Sequence, residues 1–357
     1  MERLFQNWQK EIAAAFDLKE LKQIHWDISK GLSSGFSKGL IHLSNVIVIY
    51  DQLTKLHDQM MIKTFQLVEQ GLQQQGKEAP VPFCWLILGS GGRKEQTLWT
   101  DQDHALVYLN PPEEREKEID DYFQSLADQL VLALDDIGYP LCKGNVMISN
   151  PRWRNSAVKW KNTWTDWVEH HHLDHLRFAL ISADFRPIYG LMDLGKELRH
   201  WFSTFISKQQ AFLSRGAEHN LVHQIPVGPL GQFITERYGE KAGYFNLKEG
   251  IYRQMVETLR LWSMKYEIPA VNSFERLSGL SERGLWKVEE IKEWEQALAI
   301  VFFLRLFHHV TSAAKLEFPD NFIQLQTLEK EQMKELKKAM KLVRRFQKYT
   351  NKKFTSM

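Results

Sequence analysis

Cysteine is nearly absent: Cys84 and Cys142 are the only two in 357 residues. One pair cannot staple a chain this long into a disulfide framework, so stability must come from a packed core. Both thiols are expected to be reduced and in apolar surroundings. An excess of one charge is missing too. Lys and Arg number 46 against 44 Asp and Glu, a formal net charge of +2, so no global field selects nucleic acid or a membrane surface. The longest clean apolar run, Ala297 to Leu304, is far short of the roughly 20 residues a bilayer crossing needs. The opening MERLFQNWQKEIAAAF has neither a long apolar core nor a small-residue cleavage site, which predicts a cytoplasmic protein. No fixed-period repeat and no low-complexity segment is visible. No Gly-Lys-Ser/Thr follows a glycine turn at Walker spacing.

Core material is plentiful, with 12 Trp, 21 Phe and 43% hydrophobic residues. The length implies two or three domains. Residues 1–78 read as a helical arm, because apolar positions recur at spacings of three and four up to Gly76. KEAPVPF is a Pro-bounded linker. The texture then turns β-prone in FCWLILG and DHALVYL. A helix, EIDDYFQSLADQLVLALDDIG, follows, then a hairpin or short strand in YPLCKGNVMISNPRW and a Trp-rich helix over 154–179. FALISADFRPIYG is a further strand candidate. From Leu191 onward no strand is expected, only helices broken near Pro226–Pro229, Gly250, Pro269 and Pro319. The expected fold is α+β: a helical arm (1–78), a small α/β domain (79–190) and an all-helical bundle (191–357).

One stretch, LILGSGGRKEQTLWTDQDHALVYL, carries chemistry. On a strand Asp101 and Asp103 share a face, while Gln102, His104 and Leu106 point the other way. Two neighbouring carboxylates stay ionised together only with a cation close by, and Mg²⁺ takes one or two carboxylates plus substrate phosphates. The turn GSGGR lets backbone approach a phosphate, and a short helix over RKEQTLW would aim its positive end at the same place. Asp184, in the one downstream strand-like run, is the candidate third carboxylate, with Arg186 at i+2 to offset it or reach a phosphate.

Gly89-Ser90, then ten residues, then Asp101-Gln102-Asp103 resembles the signature of the polymerase-β-like nucleotidyltransferases. GSGGRKEQTLWTDQDHAL, GYPLCKGNVMISNPRWR and DFRPIYG are together similar to the GlnD-like nucleotidyltransferases, relatives of the transferase domain of PII uridylyltransferase. PLGQF, NLKEGIYRQMVETLRLW, ERLSGL and RLFHHV resemble that family's helical substrate-binding domain. The likeness runs over roughly residues 40–350. It departs at Gly91, where the family commonly has a polar residue, and no counterpart of the family's upstream sensory modules is expected in residues 1–40. The resemblance implies Gly89 and Ser90 for triphosphate binding, Arg93 and Glu95 as turn residues, and Asp101 and Asp103 for Mg²⁺, with Asp184 as third ligand.

The expected activity is metal-dependent transfer of an NMP from an NTP to an acceptor hydroxyl, with release of pyrophosphate. Catalysis and metal binding fall to Asp101, Asp103 and Asp184, with two Mg²⁺ ions. Gly89, Ser90, Arg93 and Arg186 are the nucleotide-binding candidates. The helical domain would choose the acceptor, by resemblance a side chain of a PII-type regulatory protein. A small-molecule acceptor, or a non-catalytic nucleotide-sensing scaffold, are the rival readings. Neither nucleic acid nor a membrane is expected as partner. His171 and His175, at i, i+4, suit zinc geometrically but lack a third ligand and read as a surface face. Arg152, Trp153 and Arg154 read as a turn with snorkelling arginines. The basic segment Lys330–Lys353 reads as a helix with Met333, Leu336, Met340 and Val343 inward, or more sharply as a dock for an acidic partner or RNA.

Overall fold

The computed structural model describes residues 1–170, 172–228, 231–314 and 320–356. The fold is α+β, and the chain divides into two compact units. The first comprises residues 1–41, 48–170 and 184–202; the second comprises 42–47, 171–183 and 203–357.

In the first unit the sequence opens with three amphipathic helices, α1 (Glu2–Ala14), α2 (Leu18–Ser37) and α3 (Val46–Gln74). Asp17 caps α2 by accepting from the Glu20 amide at 2.8 Å, one of the orphan donors at a helix start. Beyond the linker lies a sheet of four strands: β1 (Phe83–Ile87), β2 (His104–Tyr108), β3 (Arg154–Ser156) and β4 (Arg186–Gly190). Their order is β3-β2-β1-β4, with β1 antiparallel to both neighbours and β2 parallel to β3. Every residue of β1 and β2 is buried, as expected of central strands covered on both faces. On one face Phe65 of α3 packs on Phe83 and Trp85, and Phe123 of the helix at 116–136 packs on Phe83 and Tyr108. On the other, a Cβ at Gly195 would stand 2.8 Å from Cys84 Sγ, so glycine lets the helix there lie close to the strand.

The register decides where chemistry sits. Ile87, the last residue of β1, pairs with His104, the first of β2, and with Arg186, the first of β4. The chain therefore leaves β1 into Gly89 at the same end of the sheet where Asp101–Asp103 lead into β2 and Asp184 leads into β4.

Three local expectations are corrected. The helix after the glycine turn is the single turn α4 (Gly89–Gly92); RKEQTLW is loop, and Lys94 has φ 58°, so no long helix dipole points at the site. The helix at 116–136, α5 (Glu116–Asp136), is as expected, but the Trp-rich segment breaks into α6 (Ala157–Glu169) and α7 (Leu173–Ser182). The strand expected over 178–190 starts only at Arg186, because the short apolar run Phe178–Ser182 finishes α7; periodicity does not separate the two at that length. α8 (Met192–Ser207) follows β4.

The second unit is helical: α9 (Gln210–Val222), α10 (Arg253–Lys265), α11 (Ser273–Glu282), α12 (Val288–Ala314) and α13 (Lys330–Thr355). α10 is its axis. Gln254 through Met264 are all buried, and the helix packs on α9, α11 and α13. A π-helical turn, Lys248–Tyr252, leads into it. The unit also has one small sheet that the sequence reading lacks, β5 (Phe245–Asn246) paired with β6 (Phe322–Ile323). On α13, Leu336, Met340 and Val343 are fully buried, as their spacing predicts, while Met333, expected to share that stripe, is only half-buried. Its basic side is not all open face: Lys341, Arg344, Arg345 and Lys348 line a cavity of about 530 Å³ with Gly228 and Gly231. Pro229 and Leu230 of PLGQF, Pro319, and His171 of the HHHLDH pair lie outside the described residues. Among the described residues, no helix is long and apolar enough to cross a membrane.

Candidate active site

The turn after β1 is built to be close-packed. Gly89 adopts φ 55°, a left-handed conformation that favours glycine. A Cβ there would stand 2.0 Å from Asp103 Oδ2; one at Gly92 would stand 2.1 Å from the Asp184 carbonyl oxygen. Neither position tolerates a side chain. The turn closes with amides of Gly92 and Arg93 donating to the carbonyls of Leu88 and Gly89. The Leu88 amide donates to the Asp103 carbonyl at 2.8 Å, which ties the turn to the segment entering β2. Ser90 and Thr100 share a hydroxyl hydrogen bond at 3.3 Å.

Asp101 and Asp103 precede β2 rather than lie within it, but the alternation holds. Gln102 and His104 are fully buried on the opposite side. Gln102 Nε2 donates to the carbonyls of Val131 and Tyr139. The Ile148 amide donates to His104 Nδ1, so Nε2 carries the proton that reaches Gln102 Oε1 at 3.1 Å. Burial holds the His104 pKa down at about 3, so the ring stays neutral and keeps that tautomer. Anchored on the buried side, the chain presents Asp101 and Asp103 on the accessible one.

The third group beside them is Cys142. Ligand atoms of Asp101, Asp103 and Cys142 all lie within 4.8 Å of one another, the one such cluster among the described residues. Cys142 is thus half-buried against two carboxylates rather than in the apolar surroundings expected. Burial first, then the Asp103 charge, pushes its thiol up to about 12. Cys84 is the buried core thiol expected, and both cysteines are free.

Asp184 is placed differently from the expected third ligand. It lies in the turn before β4, fully buried, with Oδ2 2.6 Å from Arg93 Nη1. Arg93 Nε donates to Glu95, also fully buried, at 2.9 Å. Arg186 donates Nε to the Gly91 carbonyl and both terminal nitrogens to Asp58 of α3, at 2.8 and 2.6 Å. The two arginines expected to meet phosphate hold the glycine turn in this structure, one to β4 and one to the helical arm.

The arm also holds the loop between turn and aspartates. His57 of α3 donates Nε2 to the Thr97 carbonyl and accepts from the Tyr139 hydroxyl, both at 2.8 Å. His25 of α2 donates Nδ1–H to the Ile137 carbonyl at 2.8 Å, faces the Leu98 carbonyl with Nε2 and stacks on Tyr139. Sequence reading missed His25, His57, Asp58, Tyr139 and Cys142; the only signal for the last was its place in the quoted PLCKGNVM motif. Trp153 is core, and Arg154, expected to snorkel outward, is instead buried on the Ile148 carbonyl and Gln124.

Two carboxylates at an accessible edge, with a glycine backbone in contact where any Cβ would intrude, fit a hard divalent cation and a phosphate beside it. Residues 36–174 match the family described as putative nucleotidyltransferase DUF294, and residues 210–354 match the putative nucleotidyltransferase substrate binding domain. No individual curated protein matches the chain.

Proposed function

We propose, from the premise that the chain belongs to the DUF294 family of putative nucleotidyltransferases, that it moves an NMP from an NTP to an acceptor hydroxyl and releases pyrophosphate. The observation that supports this reading best is the Asp101–Asp103 pair packed against the side-chain-free backbone of Gly89. Asp101 and Asp103 would hold Mg²⁺, which when bound supplies charge neutralisation on the triphosphate and lowers the pKa of the attacking hydroxyl. Gly89, bearing no side chain, lets the Asp103 carboxylate pack directly against the turn, and Ser90 offers a hydroxyl at its edge. Arg93, Glu95, Asp184, Arg186 and Asp58 act as positioning residues: they fix the turn, and rigid placement is most of what such a transfer asks of the protein. The helical unit, residues 203–357, presents the acceptor, by resemblance a regulatory protein of PII type.

The test is incubation of the full chain with each α-labelled NTP, Mg²⁺ and host lysate. Label should move to a discrete acceptor and be lost, by about 10²-fold or more, in Asp101→Asn and Asp103→Asn proteins. Transfer unchanged in both variants would refute the assignment.

A further inference from the structure

We propose that Arg305 anchors a second ligand site, within the helical unit, that takes the phosphate group of a small phosphorylated molecule. This goes beyond the nucleotidyl-transfer reading and does not depend on it.

Arg305 lies on α12 and is 7% exposed. Its Nε and Nη1 are sealed from solvent and have no hydrogen-bond partner among the described residues. A guanidinium keeps its proton at any physiological pH. Burying one without a carboxylate is unfavourable, and protein interiors rarely contain it. What Arg305 does have is a ring: its Cζ stands 3.6 Å from the centroid of Tyr252. Stacking of this kind fixes the guanidinium plane and leaves its edge for a planar or tetrahedral oxyanion. Tyr252 closes the π-helical turn Lys248–Tyr252, a feature concentrated at functional sites.

The surroundings carry surplus positive charge. His309, one turn beyond Arg305, is buried, and its pKa lies well below the ordinary value: burial dominates, then the charges of Arg305, His308 and Lys248. Asp320 acts in the other direction, but it is already bonded to Lys241 and His308. The acids on the π-helical turn and the start of α10, Glu249 and Glu257, are both bonded to Arg253. Among the described residues Arg305 and Lys248 therefore have no acidic ion-pair partner, while the nearby acids are taken by other cations. A doubly charged phosphate offsets that surplus of positive charge better than a single carboxylate.

The probe is inorganic pyrophosphate, with AMP, glucose 6-phosphate and acetate as separate arms at constant ionic strength. The protein is the full chain carrying Asp101→Asn and Asp103→Asn, without divalent metal, so that the first site stays silent. Pyrophosphate and at least one phosphate ester should bind saturably by calorimetry and raise Tm, while acetate should not. Adding Arg305→Met should weaken binding at least tenfold, yet raise the ligand-free Tm, because a buried unpaired charge is gone. Arg305→Lys should also weaken binding, since it keeps the charge and loses the fork. Binding of pyrophosphate equal to the parent's in Arg305→Met would overturn the site. So would absence of binding in the parent, or equal binding of acetate. If Arg305→Met does not fold, unchanged binding in Arg305→Lys overturns it.

Discussion

The backbone of Gly89 approaches the carboxylate of Asp103 so closely that a methyl group on Gly89 would stand 2.0 Å from Oδ2. The glycine is therefore required twice, by its φ of 55° and by the carboxylate it touches. Gly89→Ala should lose roughly 1–2 kcal/mol from backbone strain alone. It should also displace Asp103. Mn²⁺ binding followed by electron paramagnetic resonance should weaken together with NTP affinity. Loss of stability with unchanged Mn²⁺ affinity would separate the glycine from the metal site.

The buried histidines give the fold a defined acid limit. His57 and His104 both have pKa values lowered to about 3, against about 6.5 in an unfolded chain. Between those values the unfolded state binds protons that the native state refuses. Stability is thus fully present above pH 6.5 and falls as the pH drops toward 3, by up to about 1.4 kcal/mol per pH unit for each ring. Urea melts at pH 7 and pH 5 should show this loss. A His57→Gln protein should show a shallower loss over the same interval, although it starts less stable. An unchanged slope would mean His57 is not kept neutral in the native state.

Much of the site's frame could be read from local sequence, and much of its wiring could not. β1 and β2 are apolar runs bounded by Pro and Gly, so their existence is legible. The Gly89-Ser90 and Asp101-Asp103 spacing is a local pattern. Asp184 is different. Its partner Arg93 is 91 residues away, and the apolar run before it suits helix end and strand alike. Arg186 meets Asp58 across 128 residues, and nothing around Asp58 in α3 distinguishes it from a solvated helix position. Cys142 sits in a loop without periodicity, where no pattern reports what faces it. The carboxylate partners of the two arginines are invisible for a general reason: a cation next to a glycine turn reads the same in sequence whether it meets a ligand or a buried carboxylate.

The Glu95–Arg93–Asp184 arrangement predicts a stability phenotype. Asp184→Asn removes a fully buried charge that faces Arg93 at 2.6 Å, and breaking a buried pair from one side typically costs about 3–5 kcal/mol. Chemical denaturation should show a loss of that order. If Asp184 positions the turn without touching metal, Mn²⁺ affinity of the folded fraction should stay within about threefold of the parent's, well short of the 10–100-fold seen when a ligand's support is removed. A folded Asp184→Asn protein that has lost Mn²⁺ outright would restore Asp184 as a ligand.

Cys142 occupies the third place beside Asp101 and Asp103, which makes Cys142→Asp informative. A third carboxylate there would repel the other two when no cation is present, because like charges at this separation disfavour joint ionisation. The metal-free variant should therefore melt below the parent. With Mg²⁺ the sign reverses, since oxygen is the ligand this ion prefers over sulfur. The Mg²⁺-induced rise in Tm should be larger in Cys142→Asp than in the parent, and Cys142→Ser should fall between them. Equal Mg²⁺ shifts in all three proteins would mean that the residue at 142 does not face the bound ion, and the cation would then rest on Asp101 and Asp103 alone.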